Sequence, residues 1–134
     1  MFALSERAQD FIARTQAFIQ QEIEPIEKAF WDEVHQLNVD GDWTKWQWPA
    51  QLEQLKTKAK AAGLWNMFLP DTELGAGLSV QEYAHIAELT GRRLLAPTAF
   101  NCHGCGSGNM ALLWRYGGRE QEQRWLRPRL DGDL

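Results

Sequence analysis

The sequence predicts an all-α fold, a bundle of about five or six helices resembling no sheet-containing class. Two observations carry that prediction. Apolar residues recur three and four positions apart along almost the whole chain, the period of a helix with one buried face. Proline, glycine and Asn/Asp clusters interrupt this pattern at helix-length intervals, and no segment reads as a strand. The 134 residues, 44% hydrophobic and 24% charged, match one globular domain with one core, so residues 1–134 are read as a single domain.

The first helix carries Phe11, Ile12, Thr15, Phe18, Ile19 and Ile23 on one face, with Glu6 and Asp10 near its start, where the helix dipole favours acids. Pro25 should break or kink it. Ile26, Phe30, Val34 and Leu37 resume the period. Asn38 to Thr44 is a turn-rich loop, and Pro49 suits the first position of the next helix. Leu52, Leu55, Ala59 and Ala62 give that helix its stripe, and Gly63 suits the left-handed residue past its end. Leu64 to Pro70 is a short apolar run, expected to be buried and extended. Ser79-Val80-Gln81-Glu82 spells a capping box. The helix behind it is apolar on most sides, which predicts a central, buried position ending near Gly91. Pro97 opens a short segment. Asn101 to Asn109 reads as a glycine-rich loop, Met110 to Tyr116 as a short helix, and Glu120 to Leu130 as a last helix. In that helix Trp125 and Leu126 are expected to be buried, with Pro128 bending or ending it.

Charge and composition exclude several functions. Lys and Arg number 14 against 18 acidic residues, net −4, and neither half is basic, so the electrostatic footprint of a nucleic-acid binder is absent. No 18-residue apolar run predicts a membrane span, and the start lacks the features of a signal peptide, which makes a cytoplasmic location the expectation. Cys102-His103-Gly104-Cys105 could be a redox pair or half a zinc site, yet it lacks a preceding strand and a second ligand pair; two small residues in a packed segment is the simpler reading. Gly75 and Gly77 suit tight turns. Gly104, Gly106 and Gly108 match neither phosphate-loop pattern but could leave room for a ligand at a cavity wall. Glu82 is read as a cap and Glu88 as a surface charge. Among the tryptophans, Trp43, Trp46 and Trp48 are packing residues or a partner surface. The residues by themselves yield a helical domain without a catalytic constellation.

Three ordered stretches carry a resemblance. The first is Ala62-Gly63-Leu64-Trp65-Asn66-Met67-Phe68-Leu69-Pro70. The second is Gly75-Ala76-Gly77-Leu78-Ser79 with Glu82-Tyr83-Ala84, Ala87-Glu88, Gly91-Arg92 and Leu95-Ala96-Pro97. The third is Phe100-Asn101-Cys102, Gly108-Asn109-Met110, Tyr116-Gly117, Gln121, Arg124-Trp125-Leu126, Pro128 and Leu130-Asp131-Gly132. Together they resemble the N-terminal helical domain of the acyl-CoA dehydrogenase family. The resemblance is greatest to a subgroup with Phe-Asn-Cys and Gly-Asn-Met here, sometimes fused to a phosphotransferase-like domain.

The resemblance implies an FAD-dependent oxidoreductase that removes two hydrogens from the Cα–Cβ bond of an acyl-CoA. It implies an electron-transfer flavoprotein as acceptor and a homo-oligomer when complete. In the family the glutamate base and most flavin contacts lie in a middle β-barrel and a C-terminal helical domain. This chain would then be an N-terminal fragment, inactive alone, with no catalytic base and no bound FAD. Its expected contribution is a wall of the acyl groove, with Phe100, Asn101, Gly104 and Gly108 facing it. The subgroup has Ala-Pro-Asp-Thr before Gly-Asn-Met where this chain has Gly104-Cys105-Gly106-Ser107, and the added glycines suggest a wider groove. The alternative expectation is a free-standing helical interaction module.

Overall fold

The computed structural model describes residues 3–133, and every regular element among them is helical. Helix α1 (Glu6–Phe18) starts at Ser5, whose Oγ accepts the Ala8 N–H, and buries Ala8, Phe11, Thr15 and Phe18. As expected, the pattern breaks at Pro25, which lies in the turn of residues 24–26 between this helix and the next. Before that turn α1 widens into a π turn at Ile19–Ile23, where the Glu24 N–H reaches the Ile19 carbonyl at 2.9 Å. A proline ring clashes with the carbonyl four residues back, and a widened turn moves that carbonyl aside. Helix α2 (Glu27–Leu37) then buries Phe30 and Val34.

The loop after α2 is closed at its neck by Asn38. Its amide donates to the Val34 and Gln47 carbonyls, both at 2.9 Å, and its Oδ1 accepts the Gln47 N–H at 2.8 Å. A 3-10 turn at Trp43–Lys45 sits at the tip and buries nothing. Helix α3 (Gln51–Ala61) begins two residues after Pro49, whose carbonyl accepts the Leu52 N–H in a lead-in turn. Gly63 takes the expected left-handed backbone, φ +66°.

Two expectations are corrected in the next stretch. Leu64, Asn66, Met67 and Leu69 are buried and Pro70 is exposed, and the stretch is turned, not extended: Asn66 has φ +54° and its carbonyl accepts the Leu69 N–H at 3.1 Å. The turn sends Met67 and Leu69 into different apolar clusters. Helix α4 (Val80–Gly91) has its capping box but is not central. Only Ile86 and Thr90 are buried along it, and Val80 is 76% exposed. It packs on α1 and α5 through Tyr83, Ile86 and Leu89, while Val80 and Ala84 are exposed.

Helix α5 (Ala96–Ala99) is a single turn with Pro97 in its first two positions. Helix α6 (Gly104–Tyr116) starts six residues before Met110, through the stretch expected to be a loop. His103 explains this. Its Nδ1 accepts the Gly106 N–H at 3.3 Å, and its ring covers Gly106 so closely that a Cβ there would lie 2.7 Å from the imidazole. Capping and packing outweigh the poor helix propensity of glycine.

The last helix is continuous: α7 (Arg119–Gln121), a π turn (Glu122–Leu126) and α8 (Arg127–Asp131). Pro128 does not end it, because a π turn again precedes the proline. The widened turn shifts the inward face, so Leu126 is buried while Trp125, expected inside, is 46% exposed.

Two apolar clusters result. The larger joins α1 through α5, with Phe30, Leu52, Met67, Ile86 and Phe100 at its centre. The smaller comprises Leu69, Met110, Leu126 and Leu130, bordered by Leu74, Leu113 and Trp114; Phe68 borders both.

Candidate functional site: the open face of α6

Helical spacing puts Gly104, Gly108, Ala111 and Arg115 along one line of α6, with Leu112 beside it. A Cβ built on Gly104 or Gly108 meets nothing within 4 Å. Leu112 is 58% exposed, and the Arg115 guanidinium lies 5.8 Å from the Tyr116 ring centroid at the far end. The product is a flat apolar strip roughly 16 Å long, poor in side chains and closed at one end by a cation and an aromatic ring. Ala111, Leu112, Arg115 and Tyr116 were not among the expected groove residues. Their spacing from Gly104 and Gly108 would have found them had α6 been started at Gly104.

Phe100 and Asn101, also expected at the groove, lie off this strip and inside the domain. Phe100 is fully buried, its ring 5.2 Å from that of Phe18. Asn101 is buried with φ +55° and donates from Nδ2 to Asn66 Oδ1 at 2.7 Å and to the Arg129 carbonyl at 2.9 Å. Asn66 donates to the Leu130 carbonyl at 2.9 Å, which also accepts the Trp65 Nε1–H at 2.6 Å. Lys60 Nζ reaches the Asp131 carbonyl at 2.6 Å and lies 4.6 Å from the Trp65 ring centroid. The final carbonyls of a helix lack partners within it. Here four side chains supply them. Asparagine is suited to Asn66 and Asn101 because its short amide tolerates the left-handed region better than most side chains.

Cys102 and Cys105 occupy different environments. Cys102 is buried and its thiol donates to the Phe100 carbonyl at 3.2 Å; burial pushes that thiol up to about 11. Cys105 is exposed on α6. Burial also lowers the His103 pKa, helped by Arg129 and Lys56, so its neutral Nδ1 is kept as the cap acceptor. Among the described residues no three His, Cys, Asp or Glu side chains converge as a metal site, and no helix is long and apolar enough to cross a membrane.

The glycine-rich start of α6 matches neither phosphate-loop pattern, and its Gly106 and Ser107 N–H groups donate to the His103 carbonyl at 3.1 and 3.0 Å, so this helix start lacks the signature of a dinucleotide site.

Comparison with known proteins agrees with the helical architecture. The profile described as acyl-CoA dehydrogenase, N-terminal domain, matches residues 5–133. The chain is 42% identical over its full length to acyl-CoA dehydrogenase family member 11 of Rattus norvegicus, spanning 17% of that protein. It is 40% identical over 99% of its length to FadE2 of Mycobacterium tuberculosis, assigned to the acyl-CoA dehydrogenases, spanning 31% of it. A solved Mycobacterium abscessus structure assigned to the same enzymes superposes with a TM-score of 0.88 at 49% identity; 99% of this chain covers 33% of that one. The chain thus spans a third or less of the length of these relatives. On its helical fold and the match over residues 5–133, it belongs to the acyl-CoA dehydrogenase family, as an N-terminal domain.

Proposed function

We propose that this chain contributes one wall of the acyl groove in an FAD-dependent enzyme that dehydrogenates an acyl-CoA thioester between Cα and Cβ. The observation that carries the reading is the open α6 strip, an exposed apolar helix face in a chain of this family. Gly104 and Gly108 form the surface of the wall; Asn101 lies beside Met110 of the same helix, and Phe100 packs on Phe18 in the neighbouring cluster. The strip does no bond chemistry. It removes apolar substrate surface from water, and the missing side chains at Gly104 and Gly108 leave width for a long or bulky acyl group.

The catalytic base, the flavin and the thioester contacts belong to parts of the enzyme outside these residues. When bound, the flavin would supply hydride acceptance; an electron-transfer flavoprotein would be the acceptor, and the complete enzyme would be a homo-oligomer.

Replacing Gly108 with leucine in a complete enzyme containing this domain tests the wall. The site has open space, and leucine is the better helix former by about 0.5–1 kcal/mol, so folding should survive. The expected outcome is a shift of kcat/KM toward shorter acyl-CoA substrates. An unchanged chain-length preference excludes the strip from the groove.

A further inference from the structure

We infer that α6 to α8 form a separately opening unit, latched to the rest of the bundle by Asn66 and Asn101. Both asparagines are thus positioning residues for the α6 face. That this movement would reshape an acyl groove rests on the function proposed above; the latch itself does not.

Three features converge. The unit packs mainly on itself: α6 meets the π turn and α8, and the π turn meets α7 and α8. Its core is small, four buried residues (Leu69, Met110, Leu126 and Leu130), of which only Leu69 comes from outside the unit. Its attachment at the chain's far end is polar. The Arg129, Leu130 and Asp131 carbonyls take donors from Asn101, Asn66, Trp65 and Lys60. The Asn66 N–H also donates to the Phe100 carbonyl at 3.1 Å, so the latch holds the 64–70 turn and the 100–102 turn together as well. A cleft of about 460 Å³, lined by Lys60, Trp65, Glu73 and Leu130 among others, opens beside it and gives water access to the helix end.

A segment with little buried apolar area and a few polar attachments opens at lower free energy than the whole domain. Cutting the latch removes partners from helix-end carbonyls and leaves α6 to α8 anchored through the Leu69 cluster. Motion there would move the α6 strip relative to the α1–α4 bundle without unfolding either.

Hydrogen exchange across the whole chain, read by mass spectrometry, tests this. Asn101→Asp keeps the size of the side chain but sets an oxygen against Asn66 Oδ1 and the Arg129 carbonyl. Exchange in 104–131 should then speed up roughly tenfold or more, with the buried positions of α1 and α3 unchanged. Asn101→Gly keeps the left-handed backbone and loses the amide, and it should act in the same direction. If the aspartate variant fails to fold, Trp65→Phe removes only one donor to Leu130 and should give a smaller acceleration over the same residues. Equal acceleration along the whole chain, or wild-type exchange in Asn101→Gly, overturns the proposal. A regional response combined with unchanged chain-length preference in Gly108→Leu would keep the latch and discard the groove.

Discussion

At the scale of single residues, Glu82 joins two helix starts. Its Oε1 accepts the Ser5 hydroxyl at 2.5 Å and the Ser5 N–H at 3.3 Å; its Oε2 accepts the Ser79 hydroxyl at 2.8 Å and the Ser79 N–H at 3.0 Å. The Ser5 hydroxyl and then the Ser79 N–H and hydroxyl pull its pKa from 4.5 down to about 2. A carboxyl lowered on folding adds stability that is fully present above its unfolded value. That stability is lost as pH falls through the folded value. The wild-type melting temperature should therefore fall between pH 4.5 and 2 through this group. Glu82→Gln should start lower at neutral pH and lose that part of the slope, which melts across this range would show. Half of this arrangement was legible: Ser79 and Glu82 stand at capping-box spacing. Ser5 was not, because it lies 77 residues from Glu82 and only the packing of α1 on α4 brings it close.

At the scale of elements, α6 shows how two glycines of one helix differ. Gly106 lies under the His103 ring, and a Cβ there would meet it at 2.7 and 2.8 Å. Gly106→Ala should push the ring off its capping position and destabilise the fold by about 1–3 kcal/mol. Gly108 faces open space, so Gly108→Ala should stabilise by roughly 0.5–1 kcal/mol through the lower entropy of the unfolded chain. Thermal or urea melts of the two variants should move in opposite directions. The sequence hides this contrast, since propensity alone marks the whole glycine-rich stretch as loop. The two π turns show the same limit. Pro25 and Pro128 announce a distortion, yet its form depends on which residues the neighbouring cluster draws inward: Ile19 and Ile23 in one case, Leu126 and Leu130 in the other.

At the scale of the whole molecule, several large apolar side chains of the described residues stand open to solvent. Trp43 is 82% exposed, and Val39, Leu94 and Tyr116 are similarly open. Trp46 and Trp48 are half open although their rings meet at 5.9 Å, and Trp48 also stacks at 6.3 Å on Phe30. Packing and exposure thus coexist in this aromatic group. The chain on its own should enhance the fluorescence of an anilinonaphthalene dye while keeping a native near-ultraviolet circular dichroism signal. Absence of enhancement would mean that these side chains fold back on the domain in solution.

What the sequence determined by itself was the all-α class, the family resemblance, the helix start at Ser79, and the left-handed Gly63. Each depends on the order and spacing of residues close in the chain: a helical period, a cap three residues from its partner, a turn that only glycine takes easily. The tertiary structure decided the rest. It placed α4 at the side of the bundle, wound Gly104–Gly108 into a helix, turned Trp125 outward, and buried Phe100 and Asn101 inside the domain. It also joined Asn66 to Asn101 across 35 residues. None of these is encoded locally, because each is settled by which surfaces exclude water and which buried carbonyls find a donor once distant segments meet.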